Sequence, residues 1–211
     1  MIEDKMSHLS IDVFIYEPNS QIKEKLKEER VQLTDARAML LFMLYKLVAN
    51  GEFVSEFSSE KICYFLQRFG AKEHFKLDYK PNFYGPYSGK VKYVINYLNG
   101  SYIMGYSSMD KKPFETLDLV SDGFEKVEGY ILSKPELVEI VNRTELFLDG
   151  FYSEFALELL STVDYISLNK DTFDLEIIKS ELEGWSERKR TLFSNDRFLN
   201  ISINHLRKHF G

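Results

Sequence analysis

Few side chains in this 211-residue chain stand at spacings that do chemistry. His205 and His209 are four apart, which on a helix turns both rings to one side, the arrangement of a zinc-binding pair. Two nitrogens are not a site. No further ligand stands nearby in the sequence, and Arg207 and Lys208 between them would repel a cation, so the pair reads as part of a solvated terminal helix and no metal is expected. The single cysteine, Cys63, sits in the apolar stretch Lys-Ile-Cys-Tyr-Phe with no base obviously placed to hold a thiolate, and reads as a small buried hydrophobe. There is no Gly-rich phosphate loop, no strand–Gly-x-Gly–helix unit and no Gly-x-Ser-x-Gly elbow. Neither a catalytic residue nor a cofactor is therefore expected.

One loop has a definite character. In Tyr84-Gly85-Pro86-Tyr87-Ser88 the residue before proline is pushed extended, and the glycine lets the backbone turn sharply. Ser88 would then open a helix whose free N–H groups could accept an anion. Against ligand binding stands a scaffold reading, in which two stacked tyrosines pin that helix to the core. Tyr84, Gly85, Pro86 and Tyr87 are accordingly taken as a structural motif.

The elements that must position this loop follow from periodicity. Residues 10–16 alternate as a short strand, and 21–30 is a Lys/Glu run that reads as linker, which sets residues 1–32 apart from a single domain over 33–211. Thr34 is a good N-cap, and 36–49 is apolar almost all round before Asn50-Gly51, so this helix belongs at the centre. A second helix from Ser58 or Ser59 to Gly70 carries Ile62, Phe65, Leu66 and Phe69 on one stripe. Strands are expected at 75–79, 102–106 and 116–120, with a short helix bearing Val91, Val94, Ile95 and Leu98 between the first two. The rest reads as helical: from Pro135 to about Gly150, from Ser153 onward, and at 173–183, 186–193 and 196–209. The expected fold is α+β, mostly α-helical: a winged-helix-like unit with a small antiparallel sheet, plus a C-terminal helical layer.

Composition sets the class. An apolar fraction of 44% with 15% aromatic residues is ample for a packed core. No apolar run approaches the ~20 residues of a membrane span, so a soluble cytoplasmic protein is expected, with no membrane partner. Net charge is −6, unevenly spread: 13 acids against 14 bases over 1–109, 18 against 7 over 110–184, and 2 against 6 over 185–211. The acidic third reads either as ordinary solvated helix faces or as a surface that repels nucleic acid and attracts a basic protein.

Several blocks taken together resemble the C-terminal region of DarG antitoxins: Leu33-Thr-Asp-Ala-Arg-Ala-Met-Leu-Leu, Glu60-Lys-Ile-Cys-Tyr-Phe-Leu-Gln67, Phe83-Tyr-Gly-Pro-Tyr-Ser88, Leu98 through Tyr106, Leu148-Asp-Gly-Phe151 with Phe155 through Val163, and Trp185 through Phe193. The Lys-x-x-Tyr-Phe and Tyr-Gly-Pro segments are also similar to a wider group of antitoxin and adaptor domains. In the DarG family a macrodomain removes ADP-ribose that a DarT toxin has attached to thymidine in single-stranded DNA, and the C-terminal region binds the toxin as a DNA mimic. Nothing in this chain resembles the macrodomain. The resemblance therefore implies a non-enzymatic antitoxin domain whose partner is a DarT-like toxin and which occupies the toxin's DNA site without contacting nucleic acid itself. Exposed acids that flank apolar stripes are the contact candidates: Glu139, Glu154, Asp164, Asp171 and Asp174. The competing readings are a winged-helix protein that binds nucleic acid through its basic C-terminal segment, a protease adaptor, and an enzyme whose site sequence does not reveal.

Overall fold

Helix α1 (Asp35–Ala49) runs through the middle of the molecule, and its sequence says why. The Thr34 hydroxyl accepts from the Arg37 N–H at 3.4 Å to start it, and Asn50 closes it. Ala38 through Leu44 and Leu47 are all buried, so the helix has no polar face and its neighbours wrap around it. The structure, a computed structural model, describes residues 30–106 and 112–211. The expected strand at 10–16 and the charged linker up to residue 29 lie outside the described residues.

Helix α2 (Glu56–Leu66) begins before the expected start at Ser58 or Ser59, because Ser55 is the cap. Its hydroxyl accepts from the Ser58 N–H at 3.1 Å while the Ser58 hydroxyl accepts from the Ser55 N–H at 2.9 Å, a reciprocal capping box. A wider helical turn at Gln67–Ala71, broken at Gly70, leads into the short α3 (Lys72–Phe75). The strand expected at 75–79 is not formed. Phe75 ends α3, and Lys76 takes the left-handed conformation. The Gln67 amide then occupies the Leu77 backbone, donating to its carbonyl at 3.0 Å and accepting its N–H at 2.8 Å. A side chain thus supplies the partner that a strand would have needed.

Pairing begins later in the chain. Strand β1 (Lys80–Asn82) lies antiparallel to β2 (Gly85–Tyr87), with Lys80 opposite Tyr87, Asn82 opposite Gly85, and Phe83-Tyr84 as the turn. Helix α4 (Val91–Leu98) buries Val91, Ile95 and Leu98, as their spacing requires. Strands β3 (Ile103–Met104) and β4 (Asp118–Leu119) are only two residues each and pair antiparallel. The third member of this small sheet is not 75–79 but a single bridge from Val54 to Leu117.

The remainder is helical: α5 (Phe124–Leu132), α6 (Pro135–Leu148), α7 (Glu154–Lys170), α8 (Leu175–Trp185), α9 (Glu187–Leu192) and α10 (Asp196–Phe210). Side-chain caps at Ser153, Asp174, Ser186 and Asn195 start the last four. α5, α6 and α2 pack on α1, while α7 packs on α2 and α10. The described residues thus form a mostly helical α+β fold with small antiparallel sheets, and Val31–Gly211 is one compact unit. No helix among them is long and apolar enough to cross a membrane.

Phe147, on the last turn of α6, ties the terminal helix to this core. Its fully buried ring lies 5.1 Å from both Phe65 and Phe69, 5.5 Å from Phe210 and 4.6 Å from the His205 ring. The two histidines, read from their spacing as part of a solvated terminal helix, are packing residues here. His205 Nε2 sits 2.8 Å from the Phe147 carbonyl, and burial lowers its affinity for a proton. Phe147→Ala is expected to cost about 3–5 kcal/mol in urea unfolding, and to raise hydrogen exchange in α10 ahead of α1. Uniform protection loss across both helices would contradict this role.

Candidate functional site

The Tyr-Gly-Pro-Tyr hairpin lies against α2 and α7, and what it meets there is charge. On α2, Glu56, Glu60 and Lys61 are all buried. The Lys61 ammonium donates to the Pro86 carbonyl at 2.7 Å. The Glu60 carboxylate accepts the Ser88 and Gly89 N–H groups at 3.3 and 3.2 Å. The anion foreseen at these N–H groups is therefore one of the chain's own carboxylates. Glu56 receives the Tyr106 hydroxyl at 2.7 Å and the Tyr87 hydroxyl at 3.3 Å.

From the other side α7 and α9 complete the cluster. Glu158 of α7 is buried and takes a two-pronged contact from the Arg188 guanidinium, with Nη2 to Oε2 at 3.0 Å. It also takes the Lys189 ammonium at 2.5 Å, and Lys189 in turn reaches Thr162 Oγ1 at 3.1 Å. Gly85 passes directly over this group. A side-chain carbon there would stand 2.6 Å from Thr162 Oγ1 and 3.3 Å from Lys61 Nζ, and its φ of +93° is already unfavourable for any other residue. Tyr84 and Tyr87 do not stack on one another as expected. Tyr84 sits edge-on to Phe114 at 4.8 Å and beneath the Arg188 guanidinium at 4.9 Å, whereas Tyr87 reaches Glu56.

Burial sets the proton affinities here. Desolvation pushes the Glu60 carboxyl up to about 7 from its usual 4.5, and draws Lys61 down to about 7 and Lys189 to about 8 from 10.5. The Cys63 thiol on the same helix is buried and held well above its ordinary value. A cavity of about 240 Å³ lies beneath the hairpin, lined by Glu56, Glu60, Lys61, Tyr84 and Tyr87 among others. On the outer side Pro81, Phe83, Tyr165 and Trp185 border an open groove of about 710 Å³, and Trp185 Nε1 donates to the Asn82 carbonyl at 2.9 Å. Among the described residues no cluster of three or more His, Cys, Asp or Glu is placed to hold a metal.

The five acids chosen as contact candidates are scattered. Glu139 is exposed on α6 beside Arg143, Glu154 opens α7, Asp171 ends α7 in a left-handed conformation, and Asp174 caps α8 by accepting the Glu176 and Ile177 N–H groups. Asp164 is misplaced in that set. It is buried, with its carboxylate taken by the Arg68 guanidinium at 2.8 and 3.1 Å and by the Tyr64 hydroxyl at 2.7 Å, so it is no surface contact. The acidic third is partly neutralised from within, since Glu158 and Asp164 are interior and Glu145 and Glu181 pair with Lys46 and Lys170. The basic C-terminal segment is likewise turned inward at Arg188 and Lys189. Sequence reasoning missed Glu56, Glu60, Lys61, Glu158 and Lys189. The available signal was the insertion of these charges into otherwise apolar helical stripes, as in Ala-Leu-Glu158-Leu-Leu.

No family model matches the chain. A DNA ADP-ribosyl glycohydrolase of Thermus aquaticus is 28% identical to it over 184 residues, covering 86% of this chain and 50% of that protein. Another from Mycobacterium tuberculosis is 20% identical over 201 residues, covering 89% of this chain and 56% of that protein, and one from Mycobacterium bovis aligns equally well. The chain thus has DarG-like relatives along most of its length, and spans about half the length of the curated relatives it matches. These names correct the expectation of a non-enzymatic antitoxin domain that acts only by occupying a toxin's DNA site, because the relatives are named for a hydrolytic activity on DNA-bound ADP-ribose. They favour neither the nucleic-acid-binding C-terminal segment nor the protease adaptor.

Two outcomes test the cluster. Gly85→Val is expected to lower stability by on the order of 1–3 kcal/mol, read by thermal or urea unfolding. A neutral result would mean that Thr162 and Lys61 can move aside. The second concerns pH. Between 4.5 and about 7 the unfolded chain gives up the Glu60 proton while the folded chain keeps it, so this group subtracts stability progressively as pH rises through that window and by a constant amount above it. Glu60→Gln should therefore gain on the unsubstituted chain between pH 5 and 7. Parallel stability profiles would show that Glu60 is ionised in the fold throughout.

Proposed function

We propose that this chain serves in the removal of ADP-ribose from DNA and has a DarT-like toxin as its protein partner. The reading is carried by one observation, the alignment of most of the chain with proteins named for that hydrolysis. The partner follows from the DarG resemblance of the Phe83–Ser88 and Trp185–Phe193 segments, which in this structure lie together around the hairpin. Within the family, the chain is read as corresponding to the C-terminal region.

The fold supports a unit that handles macromolecules. α1, the Val54 bridge, α2, α4 and the β3–β4 pair follow the element order of a winged helix, with the Leu117–Leu119 segment between Val54 and Ile103. We read this half as winged-helix-like, which puts α4 in the position of a recognition helix.

The test uses an oligonucleotide carrying ADP-ribosyl-thymidine, with the modifying toxin removed beforehand, and follows the attached ADP-ribose by mass spectrometry. Loss of the adduct on adding the full chain is the expected result. A parallel reaction keeps an active DarT-like toxin and NAD present, and immobilised toxin should retain the chain. If adduct falls only while the toxin is present, hydrolysis is the wrong reading. If the toxin does not retain the chain, the partner is wrong.

A further inference from the structure

Helices α1 and α6 end at the same place. Asn50 closes α1 and Asp149 closes α6, and both line one open pocket of about 420 Å³ together with Asn142, Glu145, Leu146 and Tyr152. The carbonyl end of a helix carries partial negative charge, so two such ends meeting in one pocket favour a cation. The amino end of α7 is close by in sequence, but the Ser153 hydroxyl caps it and Glu154 stands in its first turn. The side chains add to the field. Asp149 is exposed and has no ion-pair partner among the described residues. Glu145 pairs with Lys46 at 2.9 Å through one carboxylate oxygen, which leaves the other. The Asn50 amide donates to the Lys46 carbonyl at 2.9 Å, so its side-chain oxygen is free to accept. Burial, and then the Glu52 and Glu158 charges, raise the Glu154 carboxyl above its ordinary value, so the negative field continues past the pocket.

Tyr152 is at odds with ordinary packing. It is only 5% exposed, and its hydroxyl is out of water with no hydrogen-bond partner among the described residues. A phenylalanine would fill the same space without leaving a polar atom unsatisfied, which is a costly state for a buried hydroxyl. Burial, and then the Glu145 and Asp149 charges, hold the phenol proton well above its ordinary affinity, so the group is a neutral hydroxyl beside two carboxylates. We infer that this pocket binds a small organic cation, an aliphatic amine or guanidine, its charge held by Glu145 and Asp149 and its N–H groups bonding to the Tyr152 phenol oxygen and the Asn50 side-chain oxygen. This goes beyond the reading of the chain as serving a reaction on DNA and rests on none of its terms. Leu146, 71% exposed, offers an apolar wall to the methylenes such a molecule carries. A metal ion suits the place less well. Calcium takes about 6–8 converging oxygens, whereas the pocket is open and its lining brings only two carboxylates.

The measurement is isothermal titration calorimetry of the full chain with agmatine, which carries a guanidinium and an ammonium on one short alkyl chain, and in parallel with calcium chloride. Saturable one-to-one binding of agmatine is expected, with Kd below roughly 1 mM. Asp149→Asn should weaken it by roughly 10-fold, since a charge-assisted bond is lost. Tyr152→Phe should weaken it by roughly 5-fold while the urea unfolding midpoint stays at or above that of the parent, because the hydroxyl has no internal partner to lose. A purely structural tyrosine would show the opposite pattern, a lower midpoint and unchanged affinity, and that result overturns the inference. So does the absence of saturable agmatine binding by a chain with its normal circular dichroism spectrum, or agmatine affinity that neither substitution changes. Calcium that binds one-to-one, more tightly than agmatine and in competition with it, would make this a metal site and overturn the inference as well. Since no DNA or toxin enters the measurement, its failure leaves the reading of the chain in ADP-ribose removal untouched.

Discussion

Three ionisable side chains of α2 are out of water, and the fold is arranged so that each has a bonded partner. An isolated ion in a protein interior is costly by several kcal/mol even after relaxation. Glu60 and Lys61 offset part of that cost by bonding to peptide groups of one short segment, Pro86 to Gly89, although burial still makes both easier to neutralise than in water. Opposite charges adjacent in sequence thus grip the two kinds of backbone dipole, an N–H pair and a carbonyl. The hairpin is held through its main chain, and this explains why its residue types matter mainly for shape. Gly85 permits contact with Thr162, and no larger residue leaves the ammonium groups of Lys61 and Lys189 where they are.

The same requirement joins the two halves of the molecule. α7 brings Glu158 to one side of the hairpin, and α9 brings Arg188 and Lys189 to neutralise it. Further along α7, Asp164 crosses to Arg68 and Tyr64 at the far end of α2. Of the two buried carboxylates of α7, Asp164 therefore bonds to Tyr64 and Arg68 of the first half, while Glu158 holds Arg188 and Lys189 of α9 beside the hairpin. Apolar packing around Phe147 supplies bulk cohesion between α6, α2 and α10, and would tolerate some sliding. Bonds to buried ions tolerate little, and they fix the register in which α7 lies on α2.

Much of the helical framework was legible because it depends on local signals. The apolar run at 36–49 between Thr34 and Asn50, the stripe of α4, Pro135 at the head of α6 and Ser153 at the head of α7 each express propensity, capping and period over a few residues. The failures have long-range causes. Alternation at 75–79 looked like a strand, but a Gln67 side chain ten residues earlier satisfied the Leu77 backbone first. Asp164 flanked an apolar stripe as a surface acid would, yet its partner Arg68 lies 96 residues away. Glu60 and Lys61 are charges set among apolar residues, but that pattern does not announce that Glu158 and Lys189 will close over them. The hairpin could be recognised by its Gly-Pro pair, but what it docks on could not.

A link runs from this interior cluster to the surface of α4. The Glu60 carboxylate fixes the N–H groups of Ser88 and Gly89, and the Ser88 hydroxyl accepts from the Lys90 N–H at 3.1 Å, one residue before α4 begins. The start of that helix is therefore set by an ion inside the molecule. A helix of eight residues has little intrinsic stability, so its orientation depends on such anchoring and on the three apolar residues it buries. Rotation by one residue, about 100°, would swing Tyr97 away from Arg37 and bring buried positions into water. The burial of Glu60 and the outward display of the Tyr93 and Tyr97 rings are in this sense one arrangement. A change that releases the carboxylate from Ser88 and Gly89 should loosen the surface of α4 before it disturbs α1.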